Sequence, residues 1–264
     1  MLPVTKPPRR ILVGSKAVLV PYLPLHVPMY HSWMSLPSLL LSTASEPLSL
    51  AEEYEMCTAW RTDKTKYTFI LLDAEVVTNS CPSLADFVVS PGVNSSDVGL
   101  MSEHAGSAVG DVNLFLSVDS DSDSDTDASA ASAASLVAAS ESRPRRRPPR
   151  LQGELEIMVA RPSARRRGLA LEALNLMMDF AVRRLAVRRF FVKIGDDNVP
   201  SRTLFEGKLG FGVVRYETCF RETELERIVK EEDEIGKGQE DGNVVHVDIP
   251  FIEPEDEDGL QVVT

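Results

Sequence analysis

The stretch that decides the fold is VARPSARRRGLA, at residues 159 to 170. Before it, residues 154–159 read ELEIMV, a strand-like run. After it, residues 169 to about 185 repeat apolar side chains at the spacing of one helix face. A strand, a short turn and a helix in this order form the unit from which α/β folds are built.

The turn itself carries Arg165, Arg166, Arg167 and Gly168 at the start of the predicted helix. The first backbone amides of a helix have no intrahelical acceptor and carry the positive end of the helix dipole, so a phosphate is well placed there. No Lys-Ser/Thr pair follows the glycine and no GxGxxG is present, which excludes the two common nucleotide loops. These residues alone leave two interpretations open, a solvated basic turn and an anion site.

Composition narrows the classes of partner. The chain has 40 acidic and 28 basic residues and a formal net charge of −12 at pH 7, which argues against a duplex nucleic-acid surface. No apolar run reaches the roughly 20 residues that cross a bilayer, so no membrane partner is expected. Cys57, Cys81 and Cys219 lack metal-binding spacing, so we expect a reduced, cytoplasmic chain without a metal. The basic run at residues 143–150 leaves nuclear import open.

Outward from the arginine turn, the N-terminal half predicts alternating strands and helices. We expect a disordered lead at residues 1–10, strands at 17–20, 67–72 and 109–118, and a helix at 25–42. A second helix is expected from Ser49 to about Trp60, because Glu52 and Glu53 would fall in its first turn, where the dipole favours acids.

Three segments have compositions that do not favour a packed structure. Residues 77–108 are rich in serine, glycine and proline and predict a long surface loop. Residues 119–150 combine an Asp-Ser repeat, an Ala-Ser tract and an Arg-Pro run, which cannot bury enough apolar surface to offset the entropy of ordering. Because strands flank this insertion, we interpret it as an enlarged hairpin loop. Residues 226–264 predict a loose acidic tail.

The C-terminal half completes the fold class. We expect a buried strand at residues 190–194, a short helix at 201–208 capped by Ser201, and one or two strands within 211–220. Together these elements predict a single α/β domain over residues 11–225, with a mixed central β-sheet flanked by helices.

Two motifs point to a known superfamily. The pattern R-x-x-G-x-A from Arg165 to Ala170 resembles the pyrophosphate-binding loop of the GNAT acetyltransferases. About 30 residues downstream, NVPSRTLFEGKLGF at residues 198–211 resembles the second signature of the same superfamily. Two signatures in the right order, with a predicted strand between them, are more specific than either one.

The resemblance extends to one family within this superfamily. The stretches AVLVPY at residues 17–22, HVP at 26–28, ASEPL at 44–48 and GDVNLFL at 110–116 are similar to those of the N-acetyltransferase 9-like proteins. The similarity covers roughly residues 11–225, interrupted by the two predicted loops.

The resemblance implies an enzyme that transfers an acetyl group from acetyl-coenzyme A to an amine of a protein. It places the pantetheine arm along the backbone of Met158, Val159 and Ala160, with Asn198 as a hydrogen-bonding side chain. It places the pyrophosphate on the turn, where we expect contacts from the amides of Arg166, Gly168, Leu169 and Ala170 and from the charges of Arg165 and Arg167.

Glu156 and Glu154 are the candidate catalytic residues. They lie two apart on one strand, and therefore on one face, where a carboxylate acting through water is able to accept the proton of the amine. If that face points outward, both are solvating charges instead. Many relatives place a tyrosine acid where this chain has Phe205, which cannot donate a proton.

Two other functions stay open at this stage. A GNAT-fold binding protein could keep the coenzyme pocket with weak or no turnover, and a small-molecule amine could be the acceptor. The sequence does not distinguish N-terminal amines from lysines, and it does not indicate an oligomeric state.

Overall fold

A central β-sheet of nine strands runs through the computed structural model, which describes residues 10–80, 106–119, 150–230 and 245–248. The strands are β1 (Arg10–Val13), β2 (Ala17–Pro21), β3 (Lys66–Asp73), β4 (Ala108–Asp119), β5 (Arg150–Val159), β6 (Arg189–Gly195), β7 (Gly212–Glu217), β8 (Glu222–Ile228) and β9 (Val245–Asp248). Their order across the sheet is β7-β8-β6-β5-β4-β3-β2-β1-β9.

The helices of the described residues pack on both faces of this sheet. They are α1 (Val27–Met34), α2 (Pro37–Ser42), α3 (Leu50–Thr62), α4 (Ala74–Ser80), α5 (Leu169–Leu185) and α6 (Val199–Gly207). The predicted mixed α/β fold is therefore confirmed, and helix α5 has the predicted bounds. Ser49 caps α3, and its hydroxyl accepts a hydrogen bond from the backbone of Glu52.

The paired strands β5 and β6 are parallel, whereas the other paired neighbours in the sheet are antiparallel. Parallel neighbours need a long crossover, which α5 provides. Their register joins Gln152, Gly153 and Glu154 to residues 189–191. Further along, β5 continues its pairing with β4 up to Val159, while β6 stays paired with β8 up to Gly195. The two parallel strands therefore diverge beyond Glu154 and leave a gap in the sheet.

The prediction of one continuous helix over residues 25–42 is wrong. A short 3-10 turn at Pro24–His26 leads into α1, and the chain leaves the helical conformation before α2 begins at Pro37. Leu36 has φ −87° and ψ 117°, an extended conformation. The ring of a proline clashes with a helical residue before it, and this forces the break.

The structure corrects the bounds of the two predicted loops. Strands β4 and β5 form the expected hairpin, with Asp119 paired to Arg150, and residues 120–149 of the insertion lie outside the described residues. Helix α4 continues to Ser80, so the surface loop predicted from residue 77 starts too early, and residues 81–105 of this loop are outside the described part of the chain.

The two ends of the predicted domain are also extended. Arg10, assigned to the disordered lead, is the first residue of β1. Strand β8 continues to Ile228, and Val245–Asp248, assigned to the loose tail, pairs with β1 as β9. Strand β1 would otherwise be the edge of the sheet with unpaired backbone groups, and the Val-His-Val alternation of β9 is compatible with a strand.

Candidate active site

The arginine turn folds into a tight connection between β5 and α5. A 3-10 turn at Pro162–Ala164 follows the strand, Arg166 has a positive φ of 62°, and Gly168 has a φ of 90° as the N-cap of α5. Side chains rarely tolerate a φ near 90°, which explains the glycine. The first amides of α5 are left without intrahelical acceptors, and this group of amides, the cradle, has the arrangement that suits an anion.

Two of the three arginine side chains contact the protein itself. The Nε of Arg165 donates to the carbonyl oxygen of Val159 at 3.0 Å. The guanidinium of Arg167 pairs with the carboxylates of Asp73 and Glu75, with 2.7 Å between its Nη2 and the Oε2 of Glu75. These contacts shape the turn, so the backbone amides are better placed than these two side chains to receive an anion.

A glutamate and a lysine that the sequence analysis did not identify complete this end of the site. Glu172, in the first turn of α5, accepts hydrogen bonds from the backbone and hydroxyl of Ser15 at 3.0 and 2.7 Å and from the backbone of Lys16 at 2.6 Å. This holds the β1–β2 turn against α5. A β-carbon added at Gly168 would lie 3.3 Å from the Nζ of Lys16, so the ammonium lies beside the cradle. Lys16 is far from Gly168 in sequence, and no local sequence pattern predicts that the two residues lie close together.

A cavity of about 540 Å³ adjoins the cradle. Its lining residues are Gly14, Ser15, Lys16, Asp73, Ala74, Glu75, Thr78, Arg167 and Leu169. The lining therefore combines two cations with the two carboxylates that already pair with Arg167.

The predicted pantetheine strand lies along the gap between β5 and β6. The side chains of Met158 and Ala160 are 6% and 5% exposed and pack into the core beneath α1 to α3, and Val159 is half-buried. With the side chains committed to packing, the backbone edge is what this segment offers to a ligand.

Asn198 is the N-cap of α6, which corrects the predicted cap at Ser201. Its Oδ1 accepts a hydrogen bond from the backbone amide of Ser201 at 3.2 Å, and the helix begins at Val199, two residues earlier than predicted. Asparagine is a preferred capping residue, and Pro200 suits the first turn. Phe205, on the same helix, is 1% exposed and packs edge-to-face against Phe211, so this position is apolar core.

The two candidate carboxylates differ in their surroundings. Glu154 pairs with Lys193, with 3.0 Å between Oε1 and Nζ. Glu156 is solvent-exposed, yet burial of its carboxyl, followed by the charges of Asp111 and Glu154, raises its pKa to about 7. Lys193 and Lys66 oppose this rise. Part of the residue reaches solvent while protein atoms surround its carboxyl, and this accounts for both observations.

Behind Glu156 lies a buried polar group that the sequence analysis did not identify as functional. Asp111 is 2% exposed, and burial raises its pKa to about 6. The Nδ2 of Asn113 donates to its Oδ2 at 2.8 Å, and the hydroxyl of Tyr30 approaches the same oxygen at 3.4 Å. The sequence signal was a charged residue within the apolar strand GDVNLFL.

The arrangement supplies the parts that acyl transfer to an amine requires. An amide cradle suits a phosphate group, an open strand edge suits an extended chain, and a carboxyl that titrates near neutrality suits proton transfer. These parts lie on β5 and on the turn that follows it.

Fold and site together define an acetyltransferase domain of the GNAT type. A sequence model of the family described as "Acetyltransferase (GNAT) domain" matches residues 16–212. The chain belongs to this family, as an N-acetyltransferase 9-like member, and is an acyltransferase.

Several relatives span most of the chain. It is 39% identical over 214 residues to the N-acetyltransferase 9-like protein of Nematostella vectensis, covering 81% of this chain and 83% of the relative. It is 36% identical over 222 residues to alpha/beta-tubulin-N-acetyltransferase 9 of Homo sapiens, covering 84% of each. The solved structure of Vibrio cholerae spermidine N-acetyltransferase with CoA and spermine matches with a TM-score of 0.51 at 14% identity, covering 81% of this chain and 96% of that one, and shows the shared fold.

Neither a membrane-spanning helix nor a metal-binding cluster is found among the described residues. Within residues 10–80, 106–119, 150–230 and 245–248, no helix has the length and apolar character needed to cross a bilayer. Over the same ranges, no group of three or more histidine, cysteine or acidic side chains is arranged to hold a metal ion.

Proposed function

We propose that the protein transfers the acetyl group of acetyl-coenzyme A to a primary amine of a protein, by direct attack of the amine while both substrates are bound. The observation that carries this proposal is the position of Glu156. It lies just beyond Glu154, where β5 and β6 diverge, on the strand that leads into the amide cradle.

The residues present fit the coenzyme. The amides of Arg166, Gly168, Leu169 and Ala170 would hold the pyrophosphate, and the positive φ of Gly168 keeps that approach free of a side chain. The backbone of residues 158–160 would pair with the pantetheine arm, and the amide of Asn198 would contact it. Acetyl-coenzyme A supplies a thioester carbonyl that an amine is able to attack.

Glu156 acts as the proton acceptor in this proposal. A base works best when its pKa lies near the working pH, and a pKa of about 7 meets that condition. Glu154 is held by Lys193 and contributes charge to the same face. Because Phe205 is buried and apolar, the departing thiolate takes its proton from water or from the amine itself.

The proposed acceptor is a protein amine, either an N-terminal α-amine or a lysine. Support comes from relatives named as tubulin N-acetyltransferases, which match 84% of this chain. A small-molecule amine is the alternative acceptor. Among the described residues, neither Cys57 nor Cys219 forms a disulfide, which suits a reducing compartment, and we propose the cytoplasm as the site of action.

A peptide-library assay tests the proposal. The protein is incubated with acetyl-coenzyme A and peptides that carry a free N-terminus, a lysine, or both, and products are read by mass spectrometry. We expect one class to be acetylated, and Glu156→Gln to lower kcat by about a hundredfold or more with coenzyme affinity retained.

The second candidate is a binding protein that keeps the pocket without turnover, and the apolar Phe205 favours it. Saturable binding of acetyl-coenzyme A without acetylation of any peptide or polyamine would support this candidate and contradict the proposed activity.

A further inference from the structure

Asp111 is a buried carboxyl that the proposed mechanism leaves unused. The register of β4 and β5 places Asn113 opposite Glu156 and Asp111 opposite Met158. Side chains two residues apart on a strand share a face, so Asp111 lies diagonally behind Glu156 on the same side of the sheet. It is 2% exposed, whereas Glu156 reaches solvent.

The hydrogen bonds of Asp111 come from neutral groups. Its Oδ2 accepts from Asn113 and Tyr30, while its Oδ1 is buried without a hydrogen-bond partner among the described residues. A buried carboxylate without a cation is costly, and such a group tends to hold a proton instead.

The groups facing these two carboxyls come from five neighbouring elements. Tyr30 of α1, Glu53 of α3 and Tyr22 after β2 lie on the deep side. The rings of Tyr22 and Tyr30 have centroids 5.1 Å apart, and burial first, then the charges of Asp111 and Glu53, raises the pKa of both hydroxyls. On the open side, the cations that act on Glu156 are Lys66 of β3 and Lys193 of β6, and the third carboxyl is Glu154. His31 lies 3.8 Å from Glu53. Negative and neutral groups therefore dominate the deep side.

We propose that Asp111 sets the proton affinity of Glu156, so that the two carboxyls work as one proton-accepting pair for the amine substrate. Asp111 is a positioning residue in this pair, because it is buried, whereas Glu156 reaches solvent. The proposal rests on the proposed acetyl transfer and names a residue that controls its pH range.

Acetyl transfer removes two protons from the acceptor ammonium, one to Glu156 and one to the thiolate. The ammonium of the acceptor gives one proton to the carboxylate of Glu156, which frees the nitrogen lone pair. The nitrogen–carbon bond forms, the carbon–sulfur bond breaks, and its electron pair leaves with the sulfur. A second proton of the amine goes to the thiolate, and Glu156 releases its proton to solvent.

The electrostatics of the site agree with this role. After burial, the charge of Asp111 contributes most to raising the pKa of Glu156, ahead of the charge of Glu154. Ionisation of Asp111 therefore makes Glu156 hold its proton more strongly, and a neutral group in its place removes that effect.

The test is the pH profile of kcat/KM for Asp111→Asn in the full chain. We expect the acid limb to move to lower pH, so that the rate at pH 6, as a fraction of the plateau, rises about threefold to fivefold over the unmodified protein. The matched control is Glu206→Gln on α6, an exposed carboxylate paired with Arg202, which leaves the profile in place. An acid limb that does not move in a folded Asp111→Asn variant would overturn the inference.

Tyr30→Phe provides a second variant if Asp111→Asn folds poorly. The hydroxyl of Tyr30 favours the charged form of Asp111, so its removal keeps Asp111 neutral to higher pH. The acid limb then moves in the same direction by a smaller amount. Movement to higher pH would contradict the inference.

Carbon-13 NMR of labelled carboxyl groups separates this inference from the proposed function, because it needs no substrate. We expect the Glu156 signal to titrate at lower pH in Asp111→Asn than in the unmodified protein. An unchanged Glu156 titration in an active enzyme would overturn this inference alone. A coupled titration in a protein that acetylates no amine would support the pair and overturn the proposed function.

Discussion

The two faces of the sheet differ in what they bury. Under α5 and α6 the core is dominated by hydrocarbon, with Phe180, Phe190 and Met177 among its most buried side chains, and the buried Asp179 of α5 is paired with Arg183. Under α1 to α3 the core also takes in Asp111 and Glu53, both almost fully buried. The face under α5 and α6 therefore stabilises the fold. The face under α1 to α3 is less stable than it would be with apolar side chains, because it keeps buried carboxyls close to the gap between β5 and β6.

The largest change in the free energy of unfolding is expected for a substitution on the hydrocarbon face. Phe180 is 2% exposed, with its ring 5.8 Å from that of Tyr67 and 5.9 Å from that of Phe69. Phe180→Ala should lower the free energy of unfolding by about 3–5 kcal/mol, because it removes buried area and leaves a cavity. Urea denaturation measures this change. Phe220→Ala, at a side chain 74% exposed, is the control and should stay within about 0.5 kcal/mol. Equal effects of the two variants would break the comparison.

On the polar face, a substitution is expected to raise the free energy of unfolding rather than lower it. The pKa of Asp111 is raised from 3.8 to about 6 in the folded chain, so the folded state holds this proton more tightly than the unfolded state. The contribution of Asp111 to stability is therefore greatest below about pH 4 and is lost as the pH rises through about 6. At pH 8 Asp111→Asn should be more stable than the unmodified protein by up to about 3 kcal/mol, with the advantage gone at pH 4.

Denaturation at both pH values measures this difference. An Asp111→Asn effect of the same size at pH 4 and pH 8 would show that packing, rather than ionisation, governs this position.

A smaller change in stability is expected at Glu172, where α5 begins next to the cradle. Glu172→Gln replaces an acceptor oxygen by an amide that faces the backbone donors of Ser15 and Lys16, and should cost about 1–2 kcal/mol. The loss should also appear as faster hydrogen exchange in the β1–β2 turn. Glu52→Gln, at the exposed capping box of α3, is the control with a local effect only. A protected β1–β2 turn in Glu172→Gln would contradict the anchoring role.

Local patterns predicted much of the fold around the arginine turn. The apolar repeat predicted the bounds of α5, and the signatures at residues 165–170 and 198–211 predicted where the candidate site lies. The break at Leu36 was readable from Pro37 by the rule for residues before proline. Even so, the apolar spacing across residues 25–42 favoured one helix.

The rest of the site depends on contacts between distant segments. Lys16 reaches Gly168 because Glu172 holds the β1–β2 turn, and neither contact is predictable from the local sequence. Asp111 comes behind Glu156 through strand register, which a single strand pattern does not fix. The direction of the Arg167 side chain likewise follows from its acceptors Asp73 on β3 and Glu75 on α4.

Calorimetric titration with acetyl-coenzyme A tests the central claim most directly, by comparing Gly168→Asp with Gly210→Asp. Both glycines have a positive φ, 90° and 69°, so both variants share backbone strain and an added charge, but Gly168 alone lies in the cradle. We predict that the unmodified protein and Gly210→Asp bind alike, and that Gly168→Asp binds at least about 30-fold more weakly, a difference of about 2 kcal/mol. Equal affinity of both variants, or no binding by the unmodified protein at millimolar coenzyme, would contradict the account.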